Sequence, residues 1–271
     1  MMNGFVLRLL AMSTMFVDHI GWIFLDNPMQ LTWIGRIAFP LYAFLLAEGF
    51  LIIHSDQRRF IKHLSFIILL VFISEPGYDF MEYGLDFTRY MDSQNNMLTL
   101  LFGYLEMMIT EVFLPSSGDK RQTTDTKKYY FPVAIIYLIL GLANYSMKSN
   151  YNIMGPILVV AFYWYIRTYK RDAAEGRAWS HAKRLSFSFL LFACYLILYF
   201  WVRSGFGNFT AWTAEVTAYA PWIIGYAMAA VIVGLYNGEL GYHEKWFSRF
   251  YTSFYPLHMY LIGFISLCAT M

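Results

Sequence analysis

FVLRLLAMSTMFVDHIGWIFL, residues 5–25, is an apolar run in which Arg8, Asp18 and His19 are the groups able to carry charge. Its length suits the hydrocarbon layer of a bilayer, which roughly 20 apolar residues cross as a helix. A helix is required because no water is present to satisfy an unpaired backbone. Arg8 and His19 stand eleven residues apart. At about 100° and 1.5 Å per residue, those steps return to nearly the same helix face after a climb of roughly 16 Å. One face then carries a cation near one membrane surface and an imidazole near mid-bilayer. Ionisable groups at such depths are costly, so each marks a functional site or has a partner to be named. The segment sits where a signal peptide would, but it holds an Asp-His pair and no small-residue cleavage site follows. It is expected to stay in the mature protein.

The same pattern recurs along the chain, whose 271 residues are 58% hydrophobic, 20% aromatic and only 14% charged. Nine spans are predicted, at 5–25, 32–53, 61–76, 94–114, 129–147, 153–168, 184–203, 217–236 and 247–269. The runs lack the ten-residue alternation of outer-membrane strands, which leaves helices. The fold class is therefore all-α, a polytopic integral membrane bundle of about nine transmembrane helices. The gaps are too short for a soluble domain, so residues 1–271 read as one transmembrane domain.

Lysine and arginine set the orientation. Arg58, Arg59 and Lys62 follow the second span, Lys120, Arg121, Lys127 and Lys128 the fourth, Arg167, Lys170, Arg171, Arg177, Lys183 and Arg184 the sixth, and Lys245 and Arg249 the eighth. Arg8 joins that side, against Arg36, Arg89, Lys148 and Arg203 on the other. The positive-inside rule then places the N-terminus in the cytoplasm and, with nine spans, the C-terminus outside. Basic residues spread over several loops give no nucleic-acid footprint. The segment after the third span, GYDFMEYGLDFTRYMDSQ, carries Asp79, Glu82, Asp86 and Asp92 against Arg89. It reads as a solvated loop, or as an acidic outer mouth that attracts a cationic acceptor.

Cys194 and Cys268 both fall in apolar spans, where they are expected to be structural, and they suggest neither a disulfide framework nor a metal site. The sequence contains no Gly-rich phosphate loop, no HExxH and no GxSxG elbow. The abundant aromatic residues fit interfacial belts and core packing. No metal is expected.

Polar groups within the spans are the remaining clues. Glu48, toward the cytoplasmic side of the second span, needs a partner, and Arg8 at similar depth is the natural candidate. Pro40 in that span would kink it. Asp18 points about 100° away from His19 and is expected to bond another helix. His19 fits a general base, since an imidazole takes a proton near its working pKa; taken alone, it reads first as a packing residue. His258, beside Pro256 in the ninth span, either lines the same cavity or packs. Glu75, Asn95, Asn96, Thr99, Asn144, Asn150 and Asn152 mark the outer ends of helices, where Asn caps and turns are common. His54, His63, His181 and His243 read as surface residues.

The order of motifs resembles the TraX family, membrane proteins associated with N-terminal acetylation of conjugative pilin. The matching stretches are MSTMFVDHIGWIF at 12–24, IGRIAFPLYAFLLAEGF at 34–50, ISEPGYDF at 73–80, NNMLTLLFGY at 95–104, NYNIMGPILV at 150–159, YNGELG at 236–241 and FYPLHMYLI at 254–262. Arg8 and His19 also resemble the Arg-x10-His signature of acyltransferase family three, whose histidine is taken as catalytic. The chain departs from the family pattern at EPGYDF, where a Pro-Phe-Asp sequence is usual, and in an arginine where the first-span cation is often lysine.

The resemblance implies a membrane acetyltransferase of the bacterial cytoplasmic membrane. Cytoplasmic acetyl-coenzyme A would be the donor, and an extracytoplasmic acceptor, foremost the N-terminal amine of a pilin-like protein, would receive the acetyl group. On that reading His19 and Asp18 are the catalytic candidates. Arg8, Arg36, Glu48, Arg58 and Arg59 form the donor side, with Arg36 or a polar residue of the fourth span as the candidate for stabilising the oxyanion. Asn95, Asn96, Asn152 and His258 line the acceptor cavity. The rival readings are an O-acetyltransferase of an envelope glycan, a proton-coupled transporter using Asp18, His19, Glu48 and His258 as a relay, and an inactive assembly subunit.

Overall fold

The computed structural model describes residues 2–25, 29–114, 126–242 and 244–270; Lys120, Arg121 and His243 lie outside them, and so does the side chain of Lys127. Among the described residues ten α-helices form: α1 (Gly4–Phe24), α2 (Met29–Ile53), α3 (Gln57–Tyr83), α4 (Asn96–Phe113), α5 (Tyr130–Ser146), α6 (Met154–Ala174), α7 (His181–Arg203), α8 (Phe209–Ala218), α9 (Ala220–Gly234) and α10 (Lys245–Thr270). Eight of the nine predicted spans fall on one helix each, and the span at 217–236 starts at the end of α8 and runs through α9. The protein is an all-α, multi-pass membrane bundle. Among the described residues, α1, α2, α3, α4, α7 and α10 are each long and apolar enough to cross a bilayer, and α8 with α9, bent by 75° at their junction, would add a seventh span. α5 is apolar but has 17 residues. The second half of α6 carries Arg167, Lys170, Arg171 and Asp172.

Three boundaries differ from expectation. α3 runs through Pro76 to Tyr83 instead of ending at 76. Asp79 therefore sits buried on a helix, 5% exposed, and not in a solvated loop. α6 continues to Ala174, and α8 is an extra helix in a stretch read as a connection.

The helices form two compact units. The first comprises residues 1–45 and 179–271, with α1, the first part of α2, and α7 to α10. Here α7 packs on α9 and α1 on α10. Ser188 Oγ on α7 donates to the Ala230 carbonyl on α9 at 2.9 Å. A Cβ at Gly225 would come within 2.1 Å of the Trp33 carbonyl oxygen, so glycine there lets α9 lie directly on the α2 backbone. The loop at 236–241 clasps the start of the chain. Met2 N–H donates to Leu235 O at 3.0 Å, Asn237 N–H to Met2 O at 2.8 Å and Gly4 N–H to Glu239 O at 2.7 Å. Arg184, buried on α7, donates to Tyr236 O at 2.5 Å and so holds the clasp from behind. Asn3 completes it by capping α1, its side chain accepting from Val6 N–H.

The second unit comprises residues 46–178, with α4 packed against α3, α5 and α6. Tyr104, Phe162, Tyr163 and Leu158 have no exposed surface, and the Phe50 ring meets Tyr104 edge-on at 5.2 Å. Asn95 caps α4 and donates from its side chain to Glu75 on α3. Outward faces of both units are apolar, with Phe72, Phe131, Leu138, Leu190 and Leu257 exposed, as lipid contact requires. Cys194 and Cys268 also stand exposed as free thiols on these faces, not in the interior.

Candidate functional site

The first unit gathers polar groups along the seam where α1 meets α10, with α2 and α9 alongside. α1 supplies Arg8 and His19 at their eleven-residue spacing. α10 supplies Tyr251, Tyr255 and His258, at steps of four and three that keep one helix face. α2 supplies Arg36 and Tyr42, and α9 supplies Trp222.

At one end Arg8 lies over the Tyr251 ring, its guanidinium carbon 5.8 Å from the centroid. Tyr251 in turn stacks on Tyr42 at 5.7 Å. Arg8 forms no ion pair among the described residues of this unit, where its charge meets the face of Tyr251. The Tyr42 hydroxyl is buried without a hydrogen-bond partner.

Deeper along α1, His19 is 9% exposed, and its Nδ1 lies 2.8 Å from Nε2 of His258, itself 2% exposed. The two rings are inclined by only 5°, with centroids 5.0 Å apart. That separation is roughly the nitrogen–nitrogen distance plus one ring radius at each end, so the rings lie edge to edge in a common plane and not face to face. His258 Nδ1 is 2.7 Å from the Phe254 carbonyl oxygen one turn back. The Phe254 ring stacks on His258 at 4.9 Å, and Phe16 and Tyr255 stand edge-on to it.

About 100° round α1 from His19, Asp18 faces Arg36 on α2, at 3.8 Å. The expected bond to another helix is present, as an ion pair too long to be a hydrogen bond. Asp18 Oδ1 is buried with no partner. The Asp18 carboxylate fits because position 35 is glycine; a Cβ there would lie 2.0 Å from Asp18 Cγ. Arg36 stacks over Trp222 with 4.2 Å to the ring centroid, and Trp222 Nε1 is a buried donor without a partner.

Five of the residues singled out from sequence, Arg8, Asp18, His19, Arg36 and His258, thus belong to one unit. The other six, Glu48, Arg58, Arg59, Asn95, Asn96 and Asn152, belong to the second. Glu48 is buried there at 7% exposure. Arg58 and Arg59 stand exposed at the start of α3, where Asp56 caps the helix and pairs with Arg59 at 3.2 Å. Asn95 serves as a cap, and the Asn96 amide oxygen is buried without a partner. Asn152 adopts a left-handed turn, with φ of 46°, and helps line a cavity of about 530 Å³ with Asp92, Tyr145, Ser146, Lys148, Ser149 and Asn150. His63, read as a surface residue, is half-buried against the Tyr104 ring at 5.5 Å.

Tyr42, Tyr251 and Trp222 escaped the sequence reading because aromatic residues are too common in this chain to single any out. Their signal was position: Tyr251 and His258 share a face of the ninth span, and Tyr42 follows Pro40. Arg184 reads in sequence as one more loop cation, and the structure places it in the first turn of α7.

Comparison with known proteins comes down to two findings. The family model described as TraX protein matches residues 3–266. A curated relative, a probable fimbrial assembly protein FimC, serogroup H1, of Dichelobacter nodosus, is 29% identical over 116 residues, covering 40% of this chain and 46% of the relative. The matched part is thus under half the length of that relative. No solved structure matches.

Proposed function

Because this chain belongs to the TraX family, we propose that it is a membrane acetyltransferase that takes acetyl groups from cytoplasmic acetyl-coenzyme A and passes them to an amine at the N-terminus of a pilin-like protein. The relative named for fimbrial assembly supports an acceptor of that kind. The relation to acyltransferase family three belongs to the same proposal.

The observation that carries the reading is the pair on α1. Arg8 is a cation set over the Tyr251 ring with no ion pair among the described residues of its unit, which suits it to a phosphate. His19, on the same helix, offers an imidazole in the α1–α10 seam. The donor's phosphates or pantetheine amides are held by Arg8 and the Tyr42 hydroxyl, with the thioester directed toward His19. The acceptor nitrogen attacks the thioester carbonyl while His19 Nε2 takes its proton. As the tetrahedral adduct collapses, the carbon–sulfur bond breaks and the same proton passes to the leaving thiolate. Arg36 and the Trp222 N–H are the donors for the oxyanion. An N-terminal amine, with a pKa of about 7.7–8.0, is already partly neutral at pH 7, so the base matters more for a hydroxyl acceptor than for an amine.

Purified protein in lipid, supplied with acetyl-coenzyme A and a peptide bearing a pilin-like N-terminus, tests this. Wild type should form acetyl-peptide, and His19→Ala should lower the rate by about 10²–10⁴-fold, the range of a general base. Wild-type rates in His19→Ala would remove the assignment. Acetylation of glycans in place of peptide amines would redirect it to an O-acetyltransferase.

A further inference from the structure

We infer that His258 is a positioning residue that fixes the tautomer of His19, leaving the Nε2 lone pair of His19 unprotonated. The inference deepens the proposed function and rests on it only for its consequence in catalysis. The Phe254 carbonyl can only accept. His258 Nδ1, 2.7 Å away, must therefore carry the proton. A neutral imidazole has one ring proton, so His258 Nε2 is an acceptor. The bond of 2.8 Å to it is then donated by His19 Nδ1–H. With that proton placed, His19 Nε2 is a lone pair, and among the described residues nothing hydrogen-bonds to it.

The arrangement has the logic of an orienting partner behind a catalytic histidine, with an imidazole in the place that a carboxylate takes in hydrolytic triads. Coplanarity of the rings, inclined by 5°, aligns the N–H with the accepting lone pair. The second histidine is itself fixed, by Phe254 stacked on one face, by Phe16 and Tyr255 at its edges and by its own α10 carbonyl. Neutral histidine also differs from a carboxylate in kind. It orients the base without placing a negative charge in the apolar seam, where Asp18 is already engaged by Arg36.

Solid-state NMR of protein with isotope-labelled histidine in lipid bilayers distinguishes protonated from unprotonated ring nitrogens, and the spectrum of His19→Gln identifies which signals belong to His19. Wild type should show His19 protonated at Nδ1 and bare at Nε2. His258→Gln, which keeps an acceptor oxygen, should preserve that tautomer and hold acetyl transfer within about threefold of wild type. His258→Phe should yield a mixture of tautomers and a rate at least tenfold lower. A wild-type spectrum with the proton on Nε2 overturns the inference whatever the activity, and so does an unchanged tautomer with unchanged rate in His258→Phe. The expected tautomer in a protein that transfers no acetyl group would overturn the proposed function and leave this inference standing.

Discussion

Arg8 and Asp18 illustrate how two charged residues ten positions apart on one helix take different tasks. Asp18 and Arg36 neutralise each other at 3.8 Å, with side chains 18% and 17% exposed. Removing either charge leaves the other half-desolvated. Asp18→Asn and Arg36→Gln should each lower stability by about 1–3 kcal/mol, while the double change costs less than their sum. Thermal unfolding in a fixed detergent measures both. Arg8, by contrast, has an aromatic partner and no ion pair among the described residues of its unit, so Arg8→Ala should leave the unfolding temperature nearly unchanged. It should weaken binding of coenzyme A roughly tenfold or more, the equivalent of one charge-assisted hydrogen bond, as read by isothermal titration. Arg8→Lys should recover part of that loss, since lysine keeps the charge but not the fork of donors.

Single helices were readable because each hides an apolar stretch of bilayer length, and their pairing was not. Pro76 reads as a stop, yet α3 continues to Tyr83, because neighbouring helices in a membrane bundle can take up a freed carbonyl. A stop at Pro76 would put Asp79 in a solvated connection, whereas on the continued helix it is buried. α8, FTAWTAEVTA, mixes polar and apolar residues without a strong period and was invisible for that reason. His19 and His258 were both marked from sequence, but 239 residues separate them and no local pattern reports a contact over such a distance. Packing between helices also depends on single atoms. Gly225→Ala would drive a methyl into the Trp33 carbonyl, 2.1 Å from the new Cβ. It should destabilise the α2–α9 contact by about 1–3 kcal/mol, seen as a lower unfolding temperature, and should disturb Arg36 and Trp222 before it disturbs His19.

At the scale of the whole molecule, charge asymmetry predicts which side each connection faces. Labelling with a membrane-impermeant thiol reagent, after replacing Cys194 and Cys268 by serine, should modify a cysteine placed at Arg177 only when the cytoplasmic side is opened, and one placed at Asn150 from outside. The reverse pattern would put the donor side of the proposed reaction on the wrong face. The candidate base and cation were legible in the first 25 residues; the frame that gives them partners was not, because it is supplied by the other end of the chain.

That closure governs how the protein must be made. A membrane protein enters the bilayer from its N-terminus, so α1 is placed well before α10, yet α1 packs on α10 and the segment at Met2 is clasped by 235–239. These are contacts of very long sequence separation, the kind that forms slowly in assembly. Until α10 has been made, His19 waits in lipid without His258, and Arg8 without Tyr251. A ribosome that stalls after α9 would therefore leave an inserted chain with every α1 residue in place and no assembled site, recognisable to quality-control proteases by the polar face it still exposes.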